Sequence, residues 1–392
     1  MFKSLSLKVI IFGFIFTFFS SFGQSFFLGI FNPSIRNELS ISHGQFGTIY
    51  ASATLLSSFI LIWLGKKIDD IAINKFSILV ILLLAFSCFF FSTISSIPLL
   101  FIAIFLMRFS GQGMMSHTAT TTISRYFTKS RGKALSTGWF GLSAAEFMLP
   151  VLMIYLLANT NWRNIWITSS IIIIIFLPLI TYFLVKNLNF DSRENSEEHE
   201  FNEDKIKHWK RFEVIKDYRF YIVCANMLAM PSIATGTFVY QSFILSSKNW
   251  GSYVIAQSFM AYSILSVITL FFSGFLIDKF TSRKLLVYMN IPLFLAVLVL
   301  IFFDSEISSF FFLGLIGITN GLCNVLGSST WAEIYGVRYI GSIKALTTAL
   351  MVFATAFGTA LFGILIDASL SIEQIAMFSG IYIFISIFSL FL

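Results

Sequence analysis

The chain has 392 residues, 57% of them hydrophobic and only 11% charged, with a mean hydropathy of +0.85. A water-facing surface needs about 25% charged residues, which excludes a soluble enzyme, a disordered protein and a nucleic-acid binder. The net charge of +7 therefore reads as a membrane-orientation signal rather than a DNA-binding one. Phe alone supplies 49 residues, a side chain that buries in lipid without needing a hydrogen-bond partner. Cys88, Cys224 and Cys323 lie far apart in apolar runs, so neither a disulfide framework nor metal-ligand spacing follows from them.

A helix rising about 1.5 Å per residue needs about 20 apolar residues to cross a hydrocarbon core of about 30 Å. Twelve such runs occur in chain order: 8–30, 45–64, 76–95, 97–120, 134–157, 164–186, 218–245, 251–277, 284–303, 308–331, 342–366 and 372–392. Their length, and the lack of alternation in runs such as Ser170–Phe176, points to helices rather than barrel strands. The first run follows Lys3 and Lys8 like a signal peptide, but it passes 20 residues and ends at Phe31-Asn32-Pro33 without a small-x-small cleavage site. It is expected to be a true span. With the N-terminus in the cytoplasm, the inner segments hold 22 Lys/Arg and the outer ones three, Arg36, Arg163 and Lys248. Both termini are thus expected on the cytoplasmic side.

The segment 187–217 is the long hydrophilic one, and it is read as a cytoplasmic tether in which 206–217 could form a short surface helix. His199 and His208 within it read as solvated rather than metal-binding. The tether divides the chain into 1–186 and 218–392, with six spans each. The halves echo one another. Gly65-Lys-Lys-Ile-Asp69 with Lys75 closes the second span, and Gly274-Phe-Leu-Ile-Asp278 with Lys284 closes the eighth. Ser110-Gly-Gln-Gly113 matches Thr319-Asn320-Gly321, and Gly132-Lys-Ala-Leu135 is answered by Gly341 and Lys344-Ala-Leu346. A parallel duplication explains these matches.

On these residues the chain resembles the major facilitator superfamily: a 6+6 duplication, Gly-x3-Asp-x5-Lys after spans two and eight, and Arg108-x2-Gly111-x-Gly113 in span four. Tyr126-Phe127-x3-Arg131-Gly132-x-Ala134, Pro150 and Asn161-Trp162-Arg163 are similar to its monocarboxylate and oxalate/formate antiporter branch. Two features depart from the pattern: Asp70 stands where a basic residue usually follows the aspartate, and 251–277 and 345–366 contain no Lys or Arg. The resemblance implies an all-α membrane protein of 12 transmembrane helices in two six-helix bundles. It also implies loops after spans two and eight that hold the outward-open state, and a cavity lined by spans one, four, seven and ten.

Arg108 lies about eleven residues into its span, where a guanidinium costs at least about 2.5–3.5 kcal/mol on insertion scales, so it should face protein or a watery cavity. Glu146 sits at comparable depth in span five, and an Arg108–Glu146 ion pair is expected, serving either substrate and proton duty or plain cross-linking. The second half has Ile316 opposite Arg108, an asymmetry that favours function. Gly65, Asp69, Lys75, Gly274, Asp278 and Lys284 are gating candidates. Each aspartate is expected to cap a helix of the other half, and each glycine to admit close backbone. Gln24, Gln112, Asn226, Asn320 and Asn324, with Asn290 in span nine, are mid-membrane amides that could line the cavity or simply bond a neighbouring helix. Pro150, Pro178, Pro231 and Pro292 invite bends, and Gly138, Gly141, Ser143, Ala144 and Ala145 form a close-packing face expected between the halves.

The expected function is secondary active transport of a small organic solute, an organic anion if Arg108 binds it, by alternating access with proton coupling or exchange. No Gly-x4-Gly-Lys-Ser/Thr loop suggests direct use of ATP. Efflux of amphipathic compounds and a non-transporting sensor on the same fold are the alternatives; His43 and His117 are isolated and suggest no enzyme. No cofactor, metal or nucleic acid is expected. The partners are the solute, protons as a coupling ion and the bilayer of the cell inner membrane, with the chain as a monomer.

Overall fold

The computed structural model describes residues 4–127, 131–186, 209–251, 253–336 and 339–391, with only the backbone course at Arg131, Asp278 and Ser328. Twelve helices among these residues are long and apolar enough to cross a membrane. Spans 1 to 6 are Leu5–Leu39, His43–Ile68, Ile73–Phe91, Ile97–Tyr126, Lys133–Asn159 and Trp162–Val185. Spans 7 to 12 are Tyr218–Val239, Val254–Ile277, Ser282–Phe302, Glu306–Tyr335, Ser342–Asp367 and Ile372–Phe391. Their ends are set by local chemistry. Ser42 caps span 2 through Gln45 N–H at 3.1 Å, while the Gln45 side chain returns a bond to Ser42 N–H at 2.9 Å; Ser371 and Gln374 repeat the device at span 12.

Several spans differ from the apolar runs. Span 1 does not end at Pro33. It continues to Leu39 and stops at Ser40, whose φ is 52°. Away from water, ending the helix at one missing N–H would leave further backbone groups unpaired. Span 1 is instead broken earlier, at Gln24, between Ser4–Ser20 with the turn Ser21–Gly23 and the helix Ser25–Leu39. Span 7 stops at Val239, and a separate helix Gln241–Ser247 follows. Span 9 is interrupted at Asn290, whose Nδ2 donates to Asn226 O at 2.7 Å and so occupies a buried carbonyl of span 7. Of the tether, a short helix Arg211–Ile215 is present; His199 and His208 lie outside the described residues.

Small residues set how the spans rotate against each other. Added side-chain carbon at Gly141 would collide with Phe14 O of span 1, and at Gly138 with Ile123 of span 4. Thr17 Oγ1 donates to Gly138 O at 2.6 Å. The glycine face of span 5 therefore packs inside its own half, not between the halves as its composition suggested. The halves meet instead through spans 2 and 11, 5 and 8, and 1 and 7. Span 5 contributes Ser143 O, which accepts from Ser263 Oγ of span 8 at 2.7 Å. The 2–11 and 8–5 contacts are equivalent under the six-span repeat. Large side chains such as Phe59, Phe183, Phe275 and Phe384 face outward, as a lipid-facing shell requires.

Two charged corners fasten the end of the bundle remote from Gly65. In one, Arg163 pairs with Glu38 and donates to Ser92 O and Ile94 O, with its Cζ 4.5 Å from the Trp162 ring centre. Trp162 Nε1 bonds Glu38 at 3.1 Å. The Asn161-Trp162-Arg163 motif thus ties spans 1, 3 and 6 together. In the other, Lys248, with its side chain 1% exposed, reaches Asp304 at 2.6 Å and Glu373 at 2.8 Å. Burial pulls this ammonium down, but the hydrogen bonds to Asp304 and Glu373 outweigh it and hold it above its ordinary 10.5. Lys248→Met is expected to lower stability by about 1–3 kcal/mol, since charge-assisted bonds are lost while both carboxylates keep access to solvent. A raised ammonium stabilises the fold fully below the unfolded value and loses that contribution as pH climbs through the folded one. The gap in Tm between parent and variant should hold from pH 7 to 9 and shrink above about 10.5; a gap that widens there would refute the assignment.

Candidate functional site

The site begins at the break in span 1. A carbonyl at position 23 would bond the N–H at position 27 in an unbroken helix, and the turn at Gln24 frees it. Span 4 approaches closely here, because any side chain at Gly23 would strike Met107 O and any at Gly111 would lie 2.6 Å from Gly23 N. Over Arg108–Met115 span 4 is wound as a π-helix, a form that concentrates at functional sites.

Arg108 starts that segment and is 2% exposed. Its Nη1 donates to Gly23 O at 2.9 Å and to Ser25 Oγ at 3.4 Å, and its Nε to Thr54 Oγ1 at 3.2 Å. The Cζ lies 5.2 Å from the centre of the Tyr50 ring, and Tyr50 OH bonds Ser25 Oγ at 3.0 Å. The cation is thus held by neutral oxygens and one ring from spans 1 and 2. Charge-assisted bonds of about 1.5–3 kcal/mol each offset much of the cost of burying it. Nη2 has no partner among the described residues.

The expected Arg108–Glu146 ion pair is not formed. Glu146 is buried at 8% exposure, within electrostatic reach of Tyr262 of span 8, and no ion pair to it occurs among the described residues. It faces the other half and Arg108 faces spans 1 and 2. Matching depth did not mean matching direction.

Beside Arg108 opens a cavity of about 310 Å³. Span 2 lines it with Thr54, Ser57, Ser58 and Leu61, and span 4 with Arg108, Gln112, Gly113, Ser116, His117 and Thr120. Span 5 adds Trp139 and span 11 adds Thr348, Met351, Val352 and Thr355. His117 reaches the end of span 2, with Nε2 3.0 Å from Gly65 O, so the cavity extends from Arg108 to the level of Gly65. Among the described residues, no Asp or Glu lines it.

At the opposite end the halves are sealed. Asn32 Nδ2 donates to Val239 O at 2.7 Å, Gln241 Nε2 to Phe26 O at 2.8 Å, and Tyr240 OH to His43 O at 2.8 Å. Burial pushes the Tyr240 phenol far above its ordinary range, which keeps it a donor. Asp367, the last residue of span 11, takes N–H bonds from His43 at 3.0 Å and Gly44 at 2.8 Å and the Ser42 hydroxyl at 2.5 Å. A carboxylate of one half therefore caps the first turn of span 2 in the other. A side chain at Gly29 would strike Phe238 O, and one at Gly363 would strike Tyr240.

The model of the Major Facilitator Superfamily matches residues 13–305. The chain belongs to the Major Facilitator Superfamily. Among solved structures, this superfamily member is similar to a bacterial homolog of the human lysosomal transporter Spinster in an inward-facing, unoccupied conformation, at 14% identity. The match covers 100% of this chain and 97% of the other, with a TM-score of 0.76. It is likewise similar to the nucleoside transporter NupG, at 13% identity over 99% and 98% of the two chains with a TM-score of 0.76. These likenesses establish the superfamily fold. No curated protein matches the sequence.

The remaining candidates of this transporter fall in several places. Gln112 joins Arg108 in the cavity. Gln24 forms the break in span 1. Asn226 is fully buried against span 9, Asn320 Nδ2 bonds Ser266 Oγ of span 8 at 2.9 Å, and Asn324 is exposed, so none of the three lines the cavity. Asp69 does not cap a helix of the other half. It pairs with Arg125 of span 4, whose Nη1 also bonds Ile68 O at 3.1 Å. The nearest heavy atom to a side-chain carbon at Gly65 would be His117 at 3.4 Å, and at Gly274 nothing lies within 4 Å. These glycines therefore admit no close backbone here; at Gly65 the cavity separates spans 2 and 11 toward this end. Lys75 and Lys284 are exposed, and the Asp278 side chain lies outside the described residues. Glu333 of span 10 caps span 9 instead, taking Ser282 N–H at 2.8 Å.

The sequence reading missed Trp139 and His117 as lining residues, and Asp367 as a lock. One signal for Asp367 existed. A carboxylate in the last turn of a helix opposes that helix's own dipole, which marks it as serving another.

Proposed function

We propose that the protein is a secondary active transporter carrying a small organic anion across the cytoplasmic membrane by alternating access, with 1–186 and 218–392 rocking about the cavity beside Arg108. The observation that carries this reading is a cavity running from Arg108 to Gly65 while a hydrogen-bonded seam closes the other end. The bias of Lys/Arg supports placing the Gly65 end and both termini in the cytoplasm, so that this arrangement faces inward. A guanidinium whose Nη2 is free among the described residues, in a cavity that none of their carboxylates lines, favours an anion. The likeness of Asn161-Trp162-Arg163 to the oxalate/formate branch supports the same class. The transporter works as a monomer.

Protons are the coupling ion, and Glu146 is their carrier. It is a buried carboxylate at the contact of spans 5 and 8, where the halves slide on switching, and it lacks a charged partner among the described residues. Glu146→Gln is expected to remove the dependence of solute uptake on an imposed pH gradient while counterflow exchange continues. Uptake into proteoliposomes with and without the gradient measures both. A variant that still accumulates solute in response to the gradient would sink Glu146 as carrier. Parent protein that accumulates no organic anion under any gradient would sink the function.

A further inference from the structure

Four hydroxyls of the cavity wall have already committed their protons. Ser57 Oγ and Ser58 Oγ donate to Thr54 O at 2.8 and 3.1 Å, and Thr120 Oγ1 to Ser116 O at 2.9 Å. Across the cavity, on span 11, Thr355 Oγ1 donates to Val352 O at 2.7 Å. A hydroxyl has one proton and two lone pairs, so each of these groups can only accept from a ligand while its helix bond holds. The wall thus offers these acceptors on three spans, and the free Nη2 of Arg108 is its cationic donor beside the neutral donors of Gln112, Ser116 and Trp139. A plain fatty or keto acid would satisfy the guanidinium and leave the acceptors unmatched. An ammonium compound would meet no carboxylate among the described lining residues.

The geometry points to a polyhydroxylated monocarboxylate, a sugar acid of about six carbons, as the solute: its carboxylate on Arg108, its hydroxyl protons on the Ser and Thr oxygens, and its C–H face on Trp139. The size agrees. About 310 Å³ lies at the small end of the range for small-molecule sites, room for a six-carbon acid. This assignment rests on the reading of the cavity as the transport site and narrows its solute class.

Three probes test it on the purified full-length protein in proteoliposomes: D-gluconate, hexanoate, which lacks the hydroxyls, and D-glucitol, which lacks the charge. Binding is followed by quenching of tryptophan fluorescence and by counterflow. Gluconate is expected to bind at least about tenfold more tightly than either other probe, since each lacks one half of the recognition. Thr120→Val and Thr355→Val keep the volume and remove an acceptor, and each should move the ratio of hexanoate to gluconate Kd toward one. Arg108→Gln should weaken both acids together. Hexanoate binding as tightly as gluconate, or threonine variants with an unchanged ratio, would overturn the sugar-acid assignment while leaving transport of small carboxylates intact. Binding of glucitol alone, or of none of the three, would overturn the assignment, and failure of every organic anion in the gradient assay would also remove the reading beneath it.

Discussion

Arg108→Ala is expected to reduce transport at least about a hundredfold at low solute concentration. The charge-assisted bond from Nη2 to a solute carboxylate is worth about 1.5–3 kcal/mol, or roughly 10- to 150-fold in affinity. Losing the cation also removes the electrostatic reason for an anion to enter a low-dielectric cavity at all. Arg108→Lys should recover only part of this, because a lysine ammonium is a point charge without the planar fork that reaches Gly23 O, Thr54 and the solute together. Arg108 also ties span 4 to spans 1 and 2, so the comparison needs a structural control. Ser25→Ala removes one acceptor of Nη1 without removing the charge and lies outside the cavity lining, and it should cost stability of about 1 kcal/mol while sparing most transport. Uptake is compared per unit of folded protein. Arg108→Ala protein that is folded and transports at the parent rate would eliminate the cavity as the solute site.

The second large effect belongs to Asp367. Its carboxylate accepts three bonds at the start of span 2, two of them from backbone N–H groups with no partner inside the helix. Capping of this kind contributes about 0.5–2 kcal/mol, and the charge at a helix N-terminus about 0.3–1 kcal/mol. Because the contact joins the two halves, in the alternating-access cycle proposed above it exists only while this end is closed. Its loss therefore shifts the equilibrium between the two access states by roughly 10- to 100-fold rather than unfolding the chain. A reporter Thr355→Cys in the cavity is the measure. With Asp367 intact it should react with an impermeant maleimide supplied from the Gly65 side. With Asp367→Ala it should also react from the sealed side, at least about tenfold faster than before. Asp367→Asn keeps an acceptor oxygen and should fall between. Labelling from the sealed side that stays unchanged in both variants would show that the seam holds by other contacts.

The twelve spans were legible because each one answers a local constraint. Backbone groups in lipid must bond within their own segment, so a run of about 20 apolar residues has one solution wherever it sits. Arg108 was legible for the same reason: a guanidinium eleven residues into such a run is too costly to leave without polar surroundings. The extent of span 1 was misread because Pro33 normally marks an end, whereas here the helix continues past it and breaks instead at Gln24. That break carries no comparable signature in the residues, yet it creates the carbonyl on which Arg108 rests.

The expected pairing with Glu146 failed on rotation, not on depth. Gly141 is held against Phe14 O, and Glu146 follows five residues later, about 500° round the helix and so about 140° from the face that meets span 1. That angle turns the carboxylate toward span 8. The misplacement of Gly138 and Gly141 between the halves has the same origin, because a small-residue face shows that something packs closely and not which helix does so.

The amino-acid order alone therefore determined what depends on one segment and its solvent: the number of spans, their approximate ends, the duplication and the presence of a buried cation in span 4. Tertiary packing alone decided the azimuth of each span, and with it the neutral oxygens around Arg108, the acceptor-lined cavity between spans 2, 4 and 11, and the cap of span 2 by Asp367. These contacts join residues up to 325 positions apart, and their geometry depends on how glycines and bulky side chains across several helices fit together at once.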